Sequence, residues 1–245
     1  MSLSSPASPR VSPRWELPQT VAGFTAGLPN EVLIAFAAAH RAERAQPSCL
    51  DIGSGAARNA TALAELGYRV VAADLSAPML AGAQERVRAW RTASRSGAAA
   101  IDLVLAPMAP LPFPDRSFDL IVAHGIWNLA RSDAELRAAI AEAGRVARPH
   151  AGLFLFTFSR RTLPLHAHPD PGQAFTYSCW NGEPQCFLSE EEILELLGEA
   201  GFVRDAPGPL TEYNVPRPGE LRAGGPPVIF EGTFVRADAP PRPAA

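Results

Sequence analysis

Short apolar runs alternate with longer amphipathic stretches along most of this chain. The apolar runs have the length and composition of buried strands, and the amphipathic stretches have the period of helices. Strands joined through helices pair in parallel, so helices must cover both faces of their sheet. We therefore predict an α/β fold with a doubly wound, mostly parallel seven-stranded sheet. The predicted strands are residues 49–52, 68–73, 101–106, 118–123 and 152–158, a short strand near Phe202, and residues 228–236.

Helix starts are marked by residues that cap a first turn. Ser132 with Glu135 and Ser189 with Glu192 have the spacing of a capping box, and Asn30 precedes the first amphipathic run. We expect a helix to begin at each of these places. Further helices are predicted over residues 57–66 and 78–91.

The two ends of the chain differ from its middle. Residues 1–18 are rich in serine and proline, and residues 237–245 are rich in proline and alanine, so both are predicted to be disordered tails. The folded domain is expected over residues 19–236. Within it, residues 160–188 are too long for an ordinary connection, and we predict a lid-like insertion that takes part in binding.

Composition excludes several kinds of chemistry. All 22 basic residues are arginines, so enzymes that need a lysine amine, such as Schiff-base enzymes and P-loop hydrolases, are ruled out. The net charge is -3 and the arginines are dispersed, which predicts no nucleic-acid partner.

The cysteines and the amino terminus indicate a compartment. Cys49, Cys179 and Cys186 are too few and too far apart for a disulfide framework. A metal site built from His166, His168 and the cysteines has no standard spacing, and we predict no metal. Because the amino terminus has no apolar core and no run reaches the roughly 18 residues of a membrane span, we expect a cytoplasmic protein with no membrane partner.

A glycine turn follows the first predicted strand. Gly53 and Gly55 lie there beside Asp51, and Asp74 ends the second strand 21 residues after Gly53, where its carboxylate can accept hydrogen bonds from a ribose. A dinucleotide dehydrogenase shares this pattern. However, it needs a third glycine where this chain has Arg58, and Asp51 would repel a pyrophosphate while favouring an ammonium group. Adenosine with an amino-acid tail, as in S-adenosylmethionine, fits better than NAD.

Longer segments carry a family resemblance. LDIGSGAARNATALAELGYRVVAADLSAPML resembles the first two motifs of class I S-adenosylmethionine-dependent methyltransferases, and LPFPDRSFDLIVAHGIWNL resembles the region of their fourth strand. RVARPHAGLFLFTF and FLSEEEILELLGEAGF are similar to later passages, so the resemblance spans roughly residues 30–236. Within the family, the turn region is most similar to tellurite-resistance-like and quinone-biosynthesis-like bacterial enzymes. The resemblance implies a Rossmann-like methyltransferase fold and S-adenosylmethionine as cofactor.

The resemblance also implies a set of cofactor contacts. They are Asp51, Gly53, Ser54, Gly55, Asp74, Leu75, Met108 and His124. Two residues depart from the family pattern, since it commonly has cysteine in place of Ser54 and glycine in place of Ala57; neither change is expected to disturb the turn. The family's adenine-binding aspartate is also missing near Met108, so we expect packing on the ring or backbone contacts instead.

The acceptor side is less defined. In the family the residues after the fourth strand face the reacting sulfur, so His124 is the candidate general base, although it could instead cap the strand or bind the cofactor's tail. Trp127 is a candidate wall of the acceptor pocket or a core residue. Tyr177 and Trp180, in the 160–188 segment, are candidate substrate contacts.

The expected activity is methyl transfer from S-adenosylmethionine to a small molecule by in-line displacement at the sulfonium methyl. Two alternatives stay open: an NAD-dependent oxidoreductase and a non-catalytic protein that keeps the methyltransferase fold for binding. The expected partner is a small-molecule acceptor, and the chain is expected to be a monomer or a homodimer.

Overall fold

The structure is a computed structural model that describes residues 11–41, 46–93, 100–215 and 225–237. Its helices are α1 (Pro18–Ala26), α2 (Glu31–Arg41), α3 (Arg58–Glu65), α4 (Ala77–Ala93), α5 (Asp133–Val146) and α6 (Glu190–Glu199). Its strands are β1 (Ser48–Ile52), β2 (Arg69–Asp74), β3 (Ile101–Leu105), β4 (Phe118–His124), β5 (Ala147–Phe158), β6 (Thr176–Tyr177), β7 (Gln185–Cys186), β8 (Phe202–Arg204), β9 (Thr211–Tyr213) and β10 (Ile229–Arg236). Short 3₁₀ turns lie at Pro13–Glu16, Trp127–Leu129 and Arg160–Thr162.

The main sheet has the order β3-β2-β1-β4-β5-β10-β8, with β9 also paired to β10. Strands β1 to β5 are parallel, whereas β10 runs antiparallel to β5, β8 and β9. The predicted doubly wound, mostly parallel sheet is confirmed, and β9 adds an eighth strand to the predicted seven. Because β1 has β2 on one side and β4 on the other, a crevice opens at its carboxyl end.

Both faces of the sheet are packed by helices. Leu50 of β1 and Ile121 of β4 belong to one buried cluster with α5 and α6. Their neighbours Cys49 and Leu120 belong to the cluster on the other face, with α2, α3 and α4. This alternation along each strand explains why the central strands are apolar throughout.

The two predicted capping boxes differ. At α6, the Ser189 hydroxyl accepts from Glu192 N and the Glu192 carboxylate accepts from Ser189 N, so the box is complete. At α5, the Ser132 hydroxyl accepts from Glu135 N, but the Glu135 carboxylate accepts from Arg131 N at 2.7 Å. Helix α5 is therefore capped by the Ser132 side chain without the reciprocal bond from Glu135.

The amino-terminal prediction needs correction. Residues 13–16, predicted to be disordered, form a 3₁₀ turn that leads into α1. Trp15 packs edge-on against Phe24 with ring centroids 5.6 Å apart, and Ser76 Oγ donates to the Trp15 carbonyl at 3.3 Å. The prediction of disorder rested on serine and proline content. It did not anticipate the contacts of Trp15 with Phe24 and Ser76. The rest of both predicted tails, residues 1–10 and 238–245, lies outside the described residues.

Among the helices of the described ranges, none is by itself long and apolar enough to cross a membrane. The α1 and α2 helices meet the length and composition criteria only when taken together, with a 53° bend between them.

Candidate functional site

A cavity of about 420 Å³ opens at the carboxyl ends of β1, β2 and β4. Its floor includes Gly53, Gly55 and Asp74, from the glycine turn and the end of β2. Its roof includes Trp15 from the amino-terminal turn, and its far wall includes Gln185 from β7. Segments distant in sequence therefore meet around one site at the crevice of the sheet.

The glycine turn holds the backbone close to the cavity. Gly53 N and Ser54 N donate to the Ala73 carbonyl at 2.7 and 3.0 Å, which fixes the turn to the end of β2. Gly53 has φ of +67°, and a Cβ added there would lie 2.6 Å from the Ile126 side chain. Only glycine fits this position without displacing a neighbour.

Asp74 is oriented by the turn it faces. Its Oδ2 accepts from Gly55 N and its Oδ1 accepts from Ser76 N, both at 2.8 Å. Burial raises the pKa of Asp74, while the backbone donors lower it. The Leu75 backbone also hydrogen-bonds this carboxylate, and the remaining lone pair leaves Asp74 acceptor capacity for a ligand in the cavity it lines.

Asp51 lies behind the turn and is 1% exposed. Its Oδ2 has no hydrogen-bond partner among the described residues. Burial raises the pKa of Asp51 to about 7, an effect that Arg58 opposes and Asp74 reinforces. Asp51 is therefore an unmatched acid whose charge a nearby cation would stabilise.

His124 ends β4 and stacks on Phe156 with ring centroids 4.2 Å apart. Asn30 Nδ2 lies 3.4 Å from its Nε2, and Arg58 Nη2 lies 3.2 Å from its Nδ1. Burial, followed by the Arg58 charge, lowers the pKa of His124 to about 4. The ring is thus neutral near pH 7, and both of its nitrogens face donors. These contacts do not support the predicted role of His124 as a general base.

A buried acid, Glu231, hydrogen-bonds Asn30, which contacts His124. Glu231 is 3% exposed, and its Oε2 accepts from Asn30 Nδ2 at 2.7 Å. Its Oε1 accepts from the Tyr213 hydroxyl at 2.6 Å, and this bond is the main cause that raises the pKa of Tyr213 to about 12. The sequence predicted Asn30 only as a helix cap and did not single out Glu231, because the contacts among Asn30, His124, Tyr213 and Glu231 join distant segments.

The other predicted cofactor contacts are near the same place. Leu75 and Met108 line the cavity beside Asp74. Ser54 is 8% exposed within the turn, and its Oγ has no partner among the described residues. Apart from the buried Asp51 and Ser54, the structure brings the predicted cofactor contacts together in the cavity wall.

The predicted substrate contacts lie elsewhere, and the structure corrects them. Trp127 is 2% exposed and belongs to the core cluster shared with α5. Tyr177 and Trp180 pack around Phe187, with ring centroids 6.0 and 6.4 Å from it. None of the three predicted residues lines the cavity. Trp127 and Tyr177 are buried in apolar surroundings, and Trp180 is half-buried against Phe187.

Other residues of the 160–188 segment form the far wall. Glu183, Pro184 and Gln185 line the cavity, as does Arg131, which precedes α5. The sequence predicted the segment as a binding element but gives no periodic signal for which of its side chains face the cavity. For the amino-terminal side of the cavity, the one sequence signal was an isolated aromatic residue, Trp15, in a polar stretch.

The hairpin of β6 and β7 is anchored to the start of α5. Phe175 N and Thr176 Oγ1 donate to Asp133 Oδ1 at 3.1 and 2.8 Å. Asp133 N in turn donates to Gln173 Oε1 at 2.8 Å. Within the predicted lid-like insertion, β6 and β7 thus form a hairpin that is hydrogen-bonded to the first residue of α5.

Within the parts of the chain that the structure describes, no group of three or more histidine, cysteine or acidic side chains is placed to hold a metal ion. Cys49, Cys179 and Cys186 are free thiols, and Cys179 is exposed.

Comparison with known proteins agrees with this architecture. The family profile described as a methyltransferase domain matches residues 50–156, which contain the glycine turn, Asp74 and His124. Residues 50–156 are a class I S-adenosylmethionine-dependent methyltransferase domain. The predicted family is confirmed for this methyltransferase domain.

Curated relatives match over part of their length. A demethylmenaquinone methyltransferase of Clavibacter sepedonicus is 32% identical over 117 residues, covering 47% of this chain and 43% of the relative. A ubiquinone/menaquinone biosynthesis C-methyltransferase, UbiE, of Paracoccus denitrificans is 32% identical over 154 residues, covering 56% and 58%. The chain thus spans about half the length of the curated relatives it matches.

Solved structures share the fold of the methyltransferase domain. A 1,6-didemethyltoxoflavin-N1-methyltransferase of Burkholderia thailandensis, crystallised with 1,6-didemethyltoxoflavin and S-adenosylhomocysteine, has a TM-score of 0.57 and 24% identity, and the match covers 85% of this chain and 80% of that one. PH0226 protein of Pyrococcus horikoshii has a TM-score of 0.58 and 16% identity, with 92% and 96% covered. At these identities the likeness shows the fold alone.

The methyltransferase domain has the chemistry that S-adenosylmethionine requires. Gly53 admits a ligand close to the backbone, Asp74 has free acceptor capacity for ribose hydroxyls, and the buried Asp51 oxygen is unmatched. Asp51 beside the first glycine favours a ligand that carries an ammonium group over one that carries a pyrophosphate. The residues present therefore fit the predicted cofactor.

Proposed function

We propose that this protein transfers a methyl group from S-adenosylmethionine to a small, uncharged acceptor. The observation that carries the proposal is the pair of acids at the glycine turn. Asp74 faces the cavity with free acceptor capacity, and Asp51 beneath it is buried with an unmatched oxygen. Asp74 suits a ribose-bearing ligand of either kind, whereas the charge of Asp51 disfavours a pyrophosphate and favours a cation.

The proposal gives a binding role to five residues of the methyltransferase domain. Asp74 would accept from the ribose hydroxyls, and Leu75 and Met108 would pack against the adenine. Asp51 stabilises the ammonium end through the turn, and His124, neutral and stacked, forms a wall at the methionine end.

S-adenosylmethionine, when bound, supplies an electrophilic methyl group on a sulfonium. The protein then has to position the acceptor in line and exclude water, which contributes most of the rate. Ile126 and Leu129, which line the cavity after β4, supply the apolar surface for this purpose. No side-chain base is assigned, which suits an acceptor that reacts without prior loss of a proton or loses it to water.

Charge balance supports an uncharged acceptor. Arg14 and Arg131 line the cavity together with Glu135 and Glu183, so neither sign dominates the wall away from Asp74. The names of the relatives point the same way, because they act in quinone methylation or were crystallised with a small molecule. This similarity supports a small-molecule partner.

Location and assembly belong to the same proposal. The three free cysteines support a reducing, cytoplasmic location. The dispersed arginines support the absence of a nucleic-acid partner, and no membrane partner is proposed. We propose a monomer or a homodimer, which sedimentation of the purified chain distinguishes.

The proposal is tested by calorimetric titration with S-adenosylhomocysteine and, separately, with NAD and NADH. We expect saturable binding of S-adenosylhomocysteine at one site and none of either nicotinamide. Radiolabelled S-adenosylmethionine incubated with a panel of phenols, quinols and nitrogen heterocycles then reports methyl transfer. Binding of NAD in preference to S-adenosylhomocysteine would favour the oxidoreductase, and cofactor binding with no transfer to any class of acceptor would favour a non-catalytic role.

A further inference from the structure

Trp15 is an aromatic residue of the cavity wall that has no role in the methyltransferase function proposed above. It is half-buried and lines the cavity together with Asp74 and Leu75. A tryptophan ring in a ligand cavity offers a large apolar surface and has little conformational freedom to lose. Such a ring suits a flat ligand group.

The backbone of Trp15 is tied to the ribose-binding acid through one buried residue. Ser76 N donates to Asp74 Oδ1 at 2.8 Å, and Ser76 Oγ donates to the Trp15 carbonyl at 3.3 Å. Ser76 is 1% exposed, and its hydroxyl also accepts from Met79 N in the first turn of α4. Trp15 therefore lies on the β2 side of the cavity, where the adenosine portion of the cofactor is proposed to bind.

Two neighbours hold the indole ring of Trp15. Phe24 packs against it in a T-shaped arrangement with ring centroids 5.6 Å apart, and Arg14 Cζ lies 4.4 Å from its centroid. Phe24 in turn lies against the glycine turn, because a Cβ added at Gly55 would be 3.2 Å from its ring. The indole is thus positioned before a ligand binds, which lowers the entropic cost of a contact with it.

The wall after β3 offers apolar surface to a base. Ala106, Pro107 and Met108 line the cavity there, and none of them has a side chain that can hydrogen-bond the edge of an adenine. Packing against the flat face of the base is therefore the contact that these residues favour. An aromatic ring strengthens this mode of binding, since every base has a π face.

We propose that the Trp15 ring packs against the base of S-adenosylmethionine. The proposal rests on the methyltransferase function proposed above and adds a residue to its cofactor site. The amino-terminal turn is then part of the binding site for the base, and Trp15 contributes affinity that Leu75 and Met108 alone do not provide.

Tryptophan emission tests the contact directly. Of the four tryptophans in the chain, Trp15 lines the cavity, whereas Trp90, Trp127 and Trp180 do not. Saturation with S-adenosylhomocysteine should quench the emission of the wild-type protein, because a purine packed on an indole quenches it. Trp15→Phe should abolish this change while calorimetry still measures binding within about threefold of wild type, since a phenyl ring also packs on a base. Trp180→Phe is the matched control and should keep the change.

A pair of ligands separates contact with the base from a structural role of the turn. S-ribosylhomocysteine has the ribose and amino-acid tail of S-adenosylhomocysteine but no base. Trp15→Leu should weaken binding of S-adenosylhomocysteine about tenfold and leave the affinity for S-ribosylhomocysteine, measured by competition, unchanged. Glu16→Ala is the matched control, because Glu16 is an exposed residue of the same turn that does not line the cavity, and it should bind both ligands as wild type does.

Each outcome decides the inference. An emission change that persists in full in Trp15→Phe, or an unchanged affinity for S-adenosylhomocysteine in Trp15→Leu, would overturn it. An equal loss of affinity for both ligands in Trp15→Leu would also overturn it and assign Trp15 to the structure of the turn. If any of these occurs while S-adenosylhomocysteine binds the wild-type protein, the role of Trp15 alone is wrong. If S-adenosylhomocysteine fails to bind the wild-type protein, the proposed function fails and the inference with it.

Discussion

The two sides of the cavity are built in different ways. The glycine turn positions Asp74 through backbone donors of Gly55 and Ser76, which lie close to it in the fold of β1 and β2. The far wall depends on side-chain contacts between distant segments, such as the bond from Ser12 Oγ to Glu183 Oε1 at 2.9 Å. A local backbone motif therefore fixes the side proposed for the cofactor, whereas packing between distant segments fixes the side proposed for the acceptor.

The two sides also differ in charge. At the glycine turn, Asp51 contributes a buried carboxyl with an unmatched oxygen, which favours a cation. On the other side, Arg131 and Glu183 line the cavity with opposite charges, so neither sign dominates there. This difference agrees with the proposed charged cofactor and uncharged acceptor.

Gly53→Ala is expected to have the largest effect on the glycine-turn side. The new Cβ would lie 2.6 Å from the Ile126 side chain at a φ of +67°. Overlap and left-handed backbone together should lower the free energy of unfolding by about 3 kcal/mol. Chemical denaturation measures this loss, and S-adenosylhomocysteine affinity should fall with it.

The double variant Gly53→Ala with Ile126→Ala separates the two causes. Removing the Ile126 side chain should recover the part due to overlap but leave about 1–2 kcal/mol from the backbone conformation. A loss of stability that Ile126→Ala does not change would contradict the assigned contact.

Asp51→Asn tests the buried acid through pH. Burial holds the pKa of Asp51 at about 7, above its ordinary value of 3.8. The folded state therefore keeps a proton that the unfolded state loses, so this contribution to stability is full at low pH and is lost as pH rises to about 7. The difference in unfolding free energy between wild type and Asp51→Asn should fall by roughly 2 kcal/mol between pH 5 and pH 8.

His124→Gln provides the contrasting curve. Burial and Arg58 lower the pKa of His124 to about 4, below its ordinary value of 6.5. Its contribution is therefore present above about pH 6.5 and is lost as pH falls toward 4. The two difference curves should slope in opposite directions between pH 4 and pH 6.5, and parallel curves would show that one of the two environments is wrongly assigned.

The same division explains what the sequence could predict. The strands, the turn and Asp74 follow from local apolar runs and from glycines at fixed spacing, and the turn persists although Ala57 takes a φ of 60°. Trp127 and Tyr177 illustrate the limit. An aromatic residue at a plausible position carries no sequence signal for whether its ring faces a cavity or a core, because that depends on which distant segment covers it.

Residues held by remote partners were missed for a related reason. Asn30 contacts both His124 and Glu231, from strands far along the chain. Its helix-capping role could be predicted, because the capped donor, Leu33 N, lies three residues further along the chain. In the structure Leu33 N donates to Asn30 Oδ1 at 2.9 Å. Local hydrogen bonds are therefore readable in a single sequence, whereas remote ones need the fold.

Asp74→Ala is expected to lower the affinity for S-adenosylhomocysteine more than tenfold, because it removes the acceptor for the ribose hydroxyls. Asp102→Ala is the matched control, since Asp102 is an exposed acid on the neighbouring strand β3. Calorimetry measures both affinities. An unchanged affinity in Asp74→Ala would place the cofactor elsewhere and remove the distinction between the two sides of the cavity.

The smallest effect is expected where the roof meets the far wall. The amino-terminal turn is held at one end by Ser76 Oγ, which donates to the Trp15 carbonyl, and at the other by the Ser12 bond to Glu183. Because the latter bond is exposed, Glu183→Ala should speed the dissociation of S-adenosylhomocysteine only about twofold to threefold, with little change in stability. Stopped-flow tryptophan fluorescence measures the rate. Glu183→Gln keeps an acceptor for Ser12 and should dissociate at the wild-type rate, so equal acceleration in both variants would assign the effect to charge rather than to closure of the roof.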